Sequence, residues 1–342
     1  MDAAKCGAMI KTRTTVTSAR REAGAWIVEL AQSDGTRIET VRARVLVNAA
    51  GPWVDDVLAN RVKASHGPRM RLVKGSHIVV PRLFEHDQAY IFQNADRRII
   101  FAIPYEDQFT LIGTTDVDYT GDPGNVRITA AEIEYLCKST SSYFRGAITP
   151  ASVVWSYSGV RPLLDEGGGT AQEATRNFVL ERDGEPALLN ICGGKITTYR
   201  RLAEAALGKF SDILAVGTPW TATAPLPGGD FAHDGLEALV TALRRAAPAA
   251  DEAMARRLAR TYGTLAHNIL DGAARPGDLG THFGVGLYEG EVRHLVRNEW
   301  AQTADDILWR RTKLGLRLDK PAQERLAQWL AGNATKVAVS AH

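Results

Sequence analysis

The period of apolar and polar positions changes three times along this chain. Residues 9–12 and 25–30 (Ala-Trp-Ile-Val-Glu-Leu) read as strands, with a hairpin turn at Ser33-Asp34-Gly35-Thr36 leading into residues 37–40. Residues 43–48 form an apolar run rich in Val and Leu, as buried parallel strands are, and a helix is expected to begin near Val54. From 70 to 118 the pattern becomes one of short alternating runs (77–80, 89–92, 98–103 and 109–113) separated by polar turn-formers, which predicts an antiparallel sheet.

Residues 129–143 have helical spacing, with Thr129 placed as N-cap and Glu132 three residues on. A strand at 153–157 runs into Ser158-Gly159-Val160-Arg161-Pro162, and the runs 178–181 and 187–191 flank a turn at 182–185. A Pro- and Gly-rich linker follows residue 217. Beyond it the apolar spacing is helical over 236–245, 250–262, 289–298, 304–311 and 321–330, with Thr303 and Asp306 marking one helix start. Arg244, Arg245, Arg256, Arg257, Arg260, Arg310 and Arg311 lie in this part, as a solvated helix face or as a surface for anionic lipid.

Composition narrows the classes. A length of 342 residues with 45% hydrophobic residues fits two domains, or one large α/β unit with an appendage. A net charge of +2 argues against a dedicated nucleic-acid binder. Cys6, Cys137 and Cys192 are scattered and odd in number, which suggests a reducing compartment with no disulfide framework, and no metal site is expected. No apolar run reaches membrane-spanning length, and residues 1–6 lack the apolar core of a signal peptide.

The candidate chemistry gathers at two strand-to-helix turns. Gly193-Gly194-Lys195-Ile196-Thr197-Thr198-Tyr199-Arg200 stands between the apolar run 187–192 and a helical run at 202–207. Glycines let backbone approach a ligand, and a helix start offers unpaired N–H groups and the positive end of its dipole, to which Lys195 adds a full charge. A ring that becomes anionic on reduction would be stabilised there; a tight turn closing a strand would look the same. Ala49-Ala50-Gly51-Pro52-Trp53 ends the 43–48 strand with small residues, which fits a ligand lying across a sheet edge and equally a plain strand-to-helix turn. A dinucleotide site also needs G-x-G-x-x-G opening a helix, and none is present; Gly167-Gly168-Gly169 sits in a loop. Either the ligand is not a dinucleotide or an N-terminal portion lies outside this chain.

The chain resembles the FAD-dependent, aerobic glycerol-3-phosphate dehydrogenases. The resemblance is carried, in family order, by residues 47–54 (Val-Asn-Ala-Ala-Gly-Pro-Trp-Val), 71–81, 112–116 (Ile-Gly-Thr-Thr-Asp), 157–162 (Tyr-Ser-Gly-Val-Arg-Pro), 193–203 and 305–313. It implies an α/β (α+β) fold: a partial Rossmann-like FAD-binding domain (1–68 and 159–216), an antiparallel substrate-covering sheet (69–158) and a C-terminal all-helical domain (217–342). The family's N-terminal Gly-rich ADP-binding part is expected to be missing, so that the chain reads as a C-terminal piece.

The resemblance further implies oxidation of sn-glycerol 3-phosphate to dihydroxyacetone phosphate, with a hydride passing from C2 to the flavin N5 of FAD and electrons passing to a quinone. Arg161 and Arg176 are expected to bind the substrate phosphate, Lys195 to lie against flavin and substrate, and His77 to accept the C2 hydroxyl proton. Ala50, Gly51, Gly193, Gly194, Lys195, Thr197 and Thr198 are expected to face the cofactor. Asp116 reads as ordering a turn. A homodimer, a cytoplasmic location and peripheral association with the anionic inner face of the cytoplasmic membrane complete the expectation. The alternatives are a glycerophosphate oxidase using oxygen, a related amine oxidase, and a catalytically silent binding module.

Overall fold

The computed structural model describes residues 1–33, 35, 37–64, 69–165 and 177–339. The chain forms two compact units, Arg13–Pro219 and Met1–Thr12 with Trp220–His342.

The first unit opens with an antiparallel meander of β1 (Thr14–Glu22), β2 (Ala25–Gln32) and β3 (Ile38–Ala43). Its first strand is not the 9–12 run expected from sequence, where Met9 and Ile10 stand exposed outside any strand. Thr14–Glu22 has little apolar character, but β-branched residues at 14–17 suit a pleated surface, and pairing with β2 supplies the rest. Trp26 anchors the meander: it is 1% exposed and its Nε1–H donates to the Ala187 carbonyl at 3.0 Å. The expected turn at 33–36 includes Asp34 and Thr36, which lie outside the described residues.

Two further sheets position the candidate site. In the small one β4 (Leu46–Asn48) runs parallel to β12 (Leu188–Gly193), which pairs antiparallel with β11 (Phe178–Asp183). The large one comprises β5 (Met70–Pro81), β6 (Tyr90–Gln93), β7 (Ile99–Tyr105), β8 (Phe109–Gly113), β9 (Val117–Asp118) and β10 (Trp155–Leu164). Its strand order is β10-β5-β8-β7-β6, with β9 beside β5, and all of its pairs are antiparallel as the alternating pattern predicted. β10 pairs with β5 from Trp155 to Leu164, so the strand continues through residues 158 and 159, where the substrate-sheet boundary was expected.

The large sheet has one covered face and one open face. Helix α1 (Ala130–Ser141) covers the first: Leu136 and Cys137 pack against Ile78, Val80, Ile100, Ala102 and Ile112. Thr129 caps α1 and forms the expected reciprocal box with Glu132. Glu132 does more than cap. Its carboxylate is buried and accepts from Lys74 Nζ at 2.7 Å, Ser76 Oγ at 3.0 Å, Thr115 Oγ1 at 2.8 Å, and Thr129 N and Oγ1 both at 2.9 Å. Burial alone would raise its pKa, but Lys74 and the other donors outweigh burial and hold it down at about 2. Helix α2 (Tyr199–Gly208) follows β12.

In the second unit α3 (Leu236–Ala246), α4 (Glu252–Tyr262), α5 (Glu289–Glu299) and α6 (Lys320–Val339) surround one apolar core that includes Leu243, Leu258, Leu270, Phe283, Leu295 and Leu326. The C-terminal helical domain is thus present. It also contains an antiparallel pair, β13 (His282–Gly284) and β14 (Leu287–Tyr288), too short for the periodicity to register. The 304–311 segment is helical but wound wider than an α-turn over Asp306–Arg311, starting from the expected Thr303 and Asp306 cap, whose backbone N–H groups each bond the other's side chain. The arginines of this unit do not form one solvated face. Arg257 makes a bidentate pair with the fully buried Glu291 and Arg310 pairs with the buried Asp306, while Arg244, Arg256 and Arg311 pair with the exposed or half-buried Glu252, Glu237 and Glu299.

Candidate active site

The open face of the large sheet carries the first group of candidates. Residues directly opposite in paired strands share a face. The register sets His77 opposite Tyr157 and Gly113, Gly75 opposite Gly159, and Val73 opposite Arg161. His77 and Arg161 therefore project from the same side, two pleats apart, over a floor of glycines. The floor is tight. A Cβ on Gly113 would lie 2.2 Å from His77 Cδ2, and one on Gly75 would lie 2.4 Å from an Arg161 guanidinium nitrogen. Glycine inside a strand usually costs stability, and here it makes room for the His77 and Arg161 side chains.

The His77 ring stacks on Tyr157 with centroids 4.9 Å apart and planes 7° from parallel. Its Nδ1 is buried and has no hydrogen-bond partner among the described residues. Burial first, then the nearby Arg161 charge, lowers its pKa to about 4, so the ring is neutral across the physiological range. Tyr105 stands near Tyr157, and burial is the main cause that pushes its phenol up to about 12. Arg161 spans two residues of the segment after β8, donating to Asp116 Oδ1 at 2.8 Å and to Thr114 Oγ1 at 2.9 Å.

The second group lies where β4 and β12 end. Because these neighbours are parallel, both chains leave the sheet at the same edge, the usual place for a ligand on an open α/β sheet. Buried Asn48 ties the edge together, donating to Val54 O at 3.1 Å and to Asn190 Oδ1 at 3.2 Å. Ala50 and Gly51 lead from β4 into a short helical turn, and Gly51 has φ +56° with open space where a Cβ would stand. After β12, Gly193 and Gly194 have φ of +75° and +100°. A Cβ at Gly193 would lie 2.5 Å from the Asn177 carbonyl oxygen, so this turn demands glycine. Lys195 and Thr197 are exposed at the start of the following helix, Thr198 Oγ1 bonds the Lys195 carbonyl at 3.0 Å, and Ile196 is 86% exposed.

The structure thus groups the candidates as two sets within one unit: His77 with Arg161, and Ala50 and Gly51 with Gly193, Gly194, Lys195, Thr197 and Thr198. Leu164, at the end of the strand that carries Arg161, packs with Cys192 and Val54 and lies beside Gly193, which links the two sets. Arg176 lies outside the described residues. Gly75, Gly113, Thr114 and Tyr157 were not singled out from sequence. The isolated glycines within β-patterned runs were a usable sign of close approach. Asp116, read as a turn residue, is the ion-pair partner of Arg161.

Residues 1–200 match the FAD dependent oxidoreductase family. The chain belongs to that family. Residues 219–336 match the C-terminal domain of alpha-glycerophosphate oxidase. Among relatives, the glycerol-3-phosphate dehydrogenase of Pseudomonas aeruginosa is 48% identical over 328 residues, covering 95% of this chain and 64% of that protein. The aerobic glycerol-3-phosphate dehydrogenase of Escherichia coli K12 is 45% identical, covering 95% and 65%. The D-erythritol 1-phosphate dehydrogenase of Brucella abortus is 44% identical, covering 98% and 67%. The X-ray structure of the Bacillus halodurans glycerol-3-phosphate dehydrogenase complexed with FAD superposes with a TM-score of 0.76 at 27% identity, over 99% of this chain and 72% of that one. The chain therefore spans just under two thirds of the length of the first two relatives.

The residues present suit the flavin end of the family's cofactor. Two glycine turns leave the same sheet edge, one with open space above Gly51 and the other opening on exposed backbone at Lys195–Thr197, beside an uncovered Ile196. His77 Nδ1, which has no hydrogen-bond partner among the described residues, belongs to the sheet face that carries Arg161.

Proposed function

We propose that this chain supplies the substrate sheet and flavin edge of an FAD-dependent dehydrogenase that oxidises the C2 alcohol of sn-glycerol 3-phosphate to dihydroxyacetone phosphate. The observation that carries this reading is the pairing, on one open sheet face, of a held guanidinium with a neutral histidine that has an orphan nitrogen. FAD, which the turns at Ala50–Gly51 and Gly193–Thr198 would hold, would supply the hydride acceptor, with a quinone as the final electron acceptor.

Arg161 binds the phosphate through a planar guanidinium already fixed in direction, which Lys would not reproduce. His77 takes the C2 hydroxyl proton. Its pKa of about 4 makes it a weak base in the empty site, and a phosphate dianion on Arg161 cancels the cationic part of that depression as substrate arrives. Lys195, with Thr197 and Thr198 at the helix start, would stabilise negative charge on the flavin ring.

The erythritol phosphate relative favours a second substrate, a four-carbon polyol phosphate carrying the same phosphate and secondary alcohol. The test is an anaerobic absorbance titration of the FAD-loaded protein. Bleaching of the flavin band by sn-glycerol 3-phosphate supports the reading, and preferential bleaching by erythritol 1-phosphate moves it to the longer substrate. A bound flavin unmoved by either, or bleached by amino acids, overturns it. Stabilisation by phosphate ligands without any flavin signal favours the silent binding module.

Reoxidation separates acceptors: rapid turnover with a soluble quinone and little oxygen consumption distinguishes the dehydrogenase from an oxidase. Among the described residues no helix is long and apolar enough to cross a membrane. Peripheral attachment to the inner face of the cytoplasmic membrane is proposed and is read by flotation with anionic vesicles, and a homodimer is read by sedimentation.

A further inference from the structure

The guanidinium of Arg161 is held from behind. On the open face it bonds Asp116 Oδ1 and Thr114 Oγ1. These two residues flank Thr115, which points the other way, into the covered face, and is 1% exposed. There its hydroxyl donates to Glu132 Oε1 at 2.8 Å and accepts from the Ser76 amide at 3.0 Å, while its own amide reaches the Ser76 carbonyl at 3.3 Å. Glu132 is fastened in turn by Lys74 Nζ at 2.7 Å, a pair 8% exposed on each side.

We propose that the Thr115–Glu132 hydrogen bond is a latch that sets the Thr114-Thr115-Asp116 segment, and through it the Arg161 guanidinium, for phosphate recognition, with Thr115 and Glu132 as positioning residues that never touch substrate. This inference rests on the proposed phosphate-binding role of Arg161.

The physical case is geometric. The segment between β8 and β9 has irregular backbone, tied to β5 by one backbone bond, from the Thr115 amide to the Ser76 carbonyl, so its other anchors are side chains. Its inward anchor is a charge-assisted bond in a buried network, stronger and more directional than a neutral one. Its outward side chains fix both ends of the guanidinium. A shift of the segment by about 1 Å takes hydrogen bonds of 2.8 and 2.9 Å beyond useful range and releases Arg161 from its place over Gly75.

The test uses the FAD-loaded full chain with Thr115→Val, which keeps the shape and removes the hydroxyl, and Thr115→Ser, which restores it. The expected result for Thr115→Val is a rise in KM for sn-glycerol 3-phosphate of about tenfold, with kcat changed less than about threefold. Thr115→Ser returns KM to within about twofold of wild type. Stabilisation by inorganic phosphate, read as a Tm shift without any turnover, is expected in wild type and Thr115→Ser and lost in Thr115→Val. A Thr115→Val protein that melts lower but keeps wild-type KM and phosphate response overturns the latch and leaves the proposed function standing. A Thr115→Val protein that does not fold passes the question to Glu132→Gln, judged by the same two readouts. A folded wild type with neither activity nor phosphate response overturns both the function and the latch.

Discussion

Replacing Lys74 by Met tests the buried network most directly. The Met side chain keeps most of the apolar stem and removes the charge, leaving Glu132 buried without its cation. Breaking a buried pair by removing one partner costs about 3–5 kcal/mol, because an uncompensated charge remains. Here Glu132 keeps four donors from Ser76, Thr115 and Thr129, so the low end, about 3 kcal/mol, is expected. With an m-value of roughly 2 kcal/mol per molar urea, the midpoint for the unit Arg13–Pro219 falls by about 1.5 M at pH 7.

The pH dependence adds a second constraint on the same variant. Glu132 has a folded pKa of about 2 against an ordinary 4.5. A depressed carboxylate contributes its stability above the unfolded value and loses it as pH falls from 4.5 toward 2. Without Lys74 the folded pKa rises toward the ordinary value, so this acid loss shrinks in the variant. The gap between wild type and variant is therefore expected to narrow from about 3 kcal/mol at pH 7 to under about 1 kcal/mol near pH 2.5. Urea titrations by circular dichroism at the two pH values read both numbers. A gap below about 1 kcal/mol at pH 7, or one of equal size at both pH values, refutes the reasoning. Lys74→Met combined with Glu132→Gln is expected to be less destabilised than Lys74→Met alone, since no charge is then stranded.

Three other outcomes are expected. Gly75→Ala sets a methyl 2.4 Å from an Arg161 nitrogen, so the flexible guanidinium gives way; KM rises about tenfold while the unfolding midpoint hardly moves, and an unchanged KM refutes the close-packed floor. Gly193→Ala combines a φ of +75° with a methyl 2.5 Å from the Asn177 carbonyl oxygen, and chemical denaturation is expected to show a loss above about 2 kcal/mol. His77 titrates near 4 when folded and 6.5 when unfolded, so it stays neutral above about pH 4; the acid limb of kcat/KM, which reports the free enzyme, is expected well below 6.5 and should vanish in a residually active His77→Gln. The same depression means that His77 contributes stability above pH 6.5, lost progressively as pH falls toward 4.

Local signals carried much of this fold. Alternation over 70–118 marked an antiparallel sheet, and the register bore it out from β5 to β8. The Thr129 and Glu132 box and the Thr303 and Asp306 cap were readable because capping is settled within four residues. The glycine pair 193–194 marked a turn that admits no side chain, since positive φ is a property of the local backbone. What failed also failed for physical reasons. β1 is made a strand by its partner rather than by its own residues, and the apolar run at 9–12 has no partner strand.

The candidate site is a tertiary product. Sequence separates His77 from Arg161 by 84 residues, and only the β5–β10 register sets them on one face. It shows Asp116 as one polar residue after a strand, whereas the fold turns it toward Arg161. It shows Glu132 as a helix cap, whereas packing α1 against the sheet also makes it the acceptor for Lys74, Ser76 and Thr115. Propensity, capping and turn chemistry act over a few residues and can be read along the chain. Which faces meet, which charges are buried together and which glycines make room for a distant side chain depend on pairings between strands far apart in sequence, and those exist only once the sheet has formed.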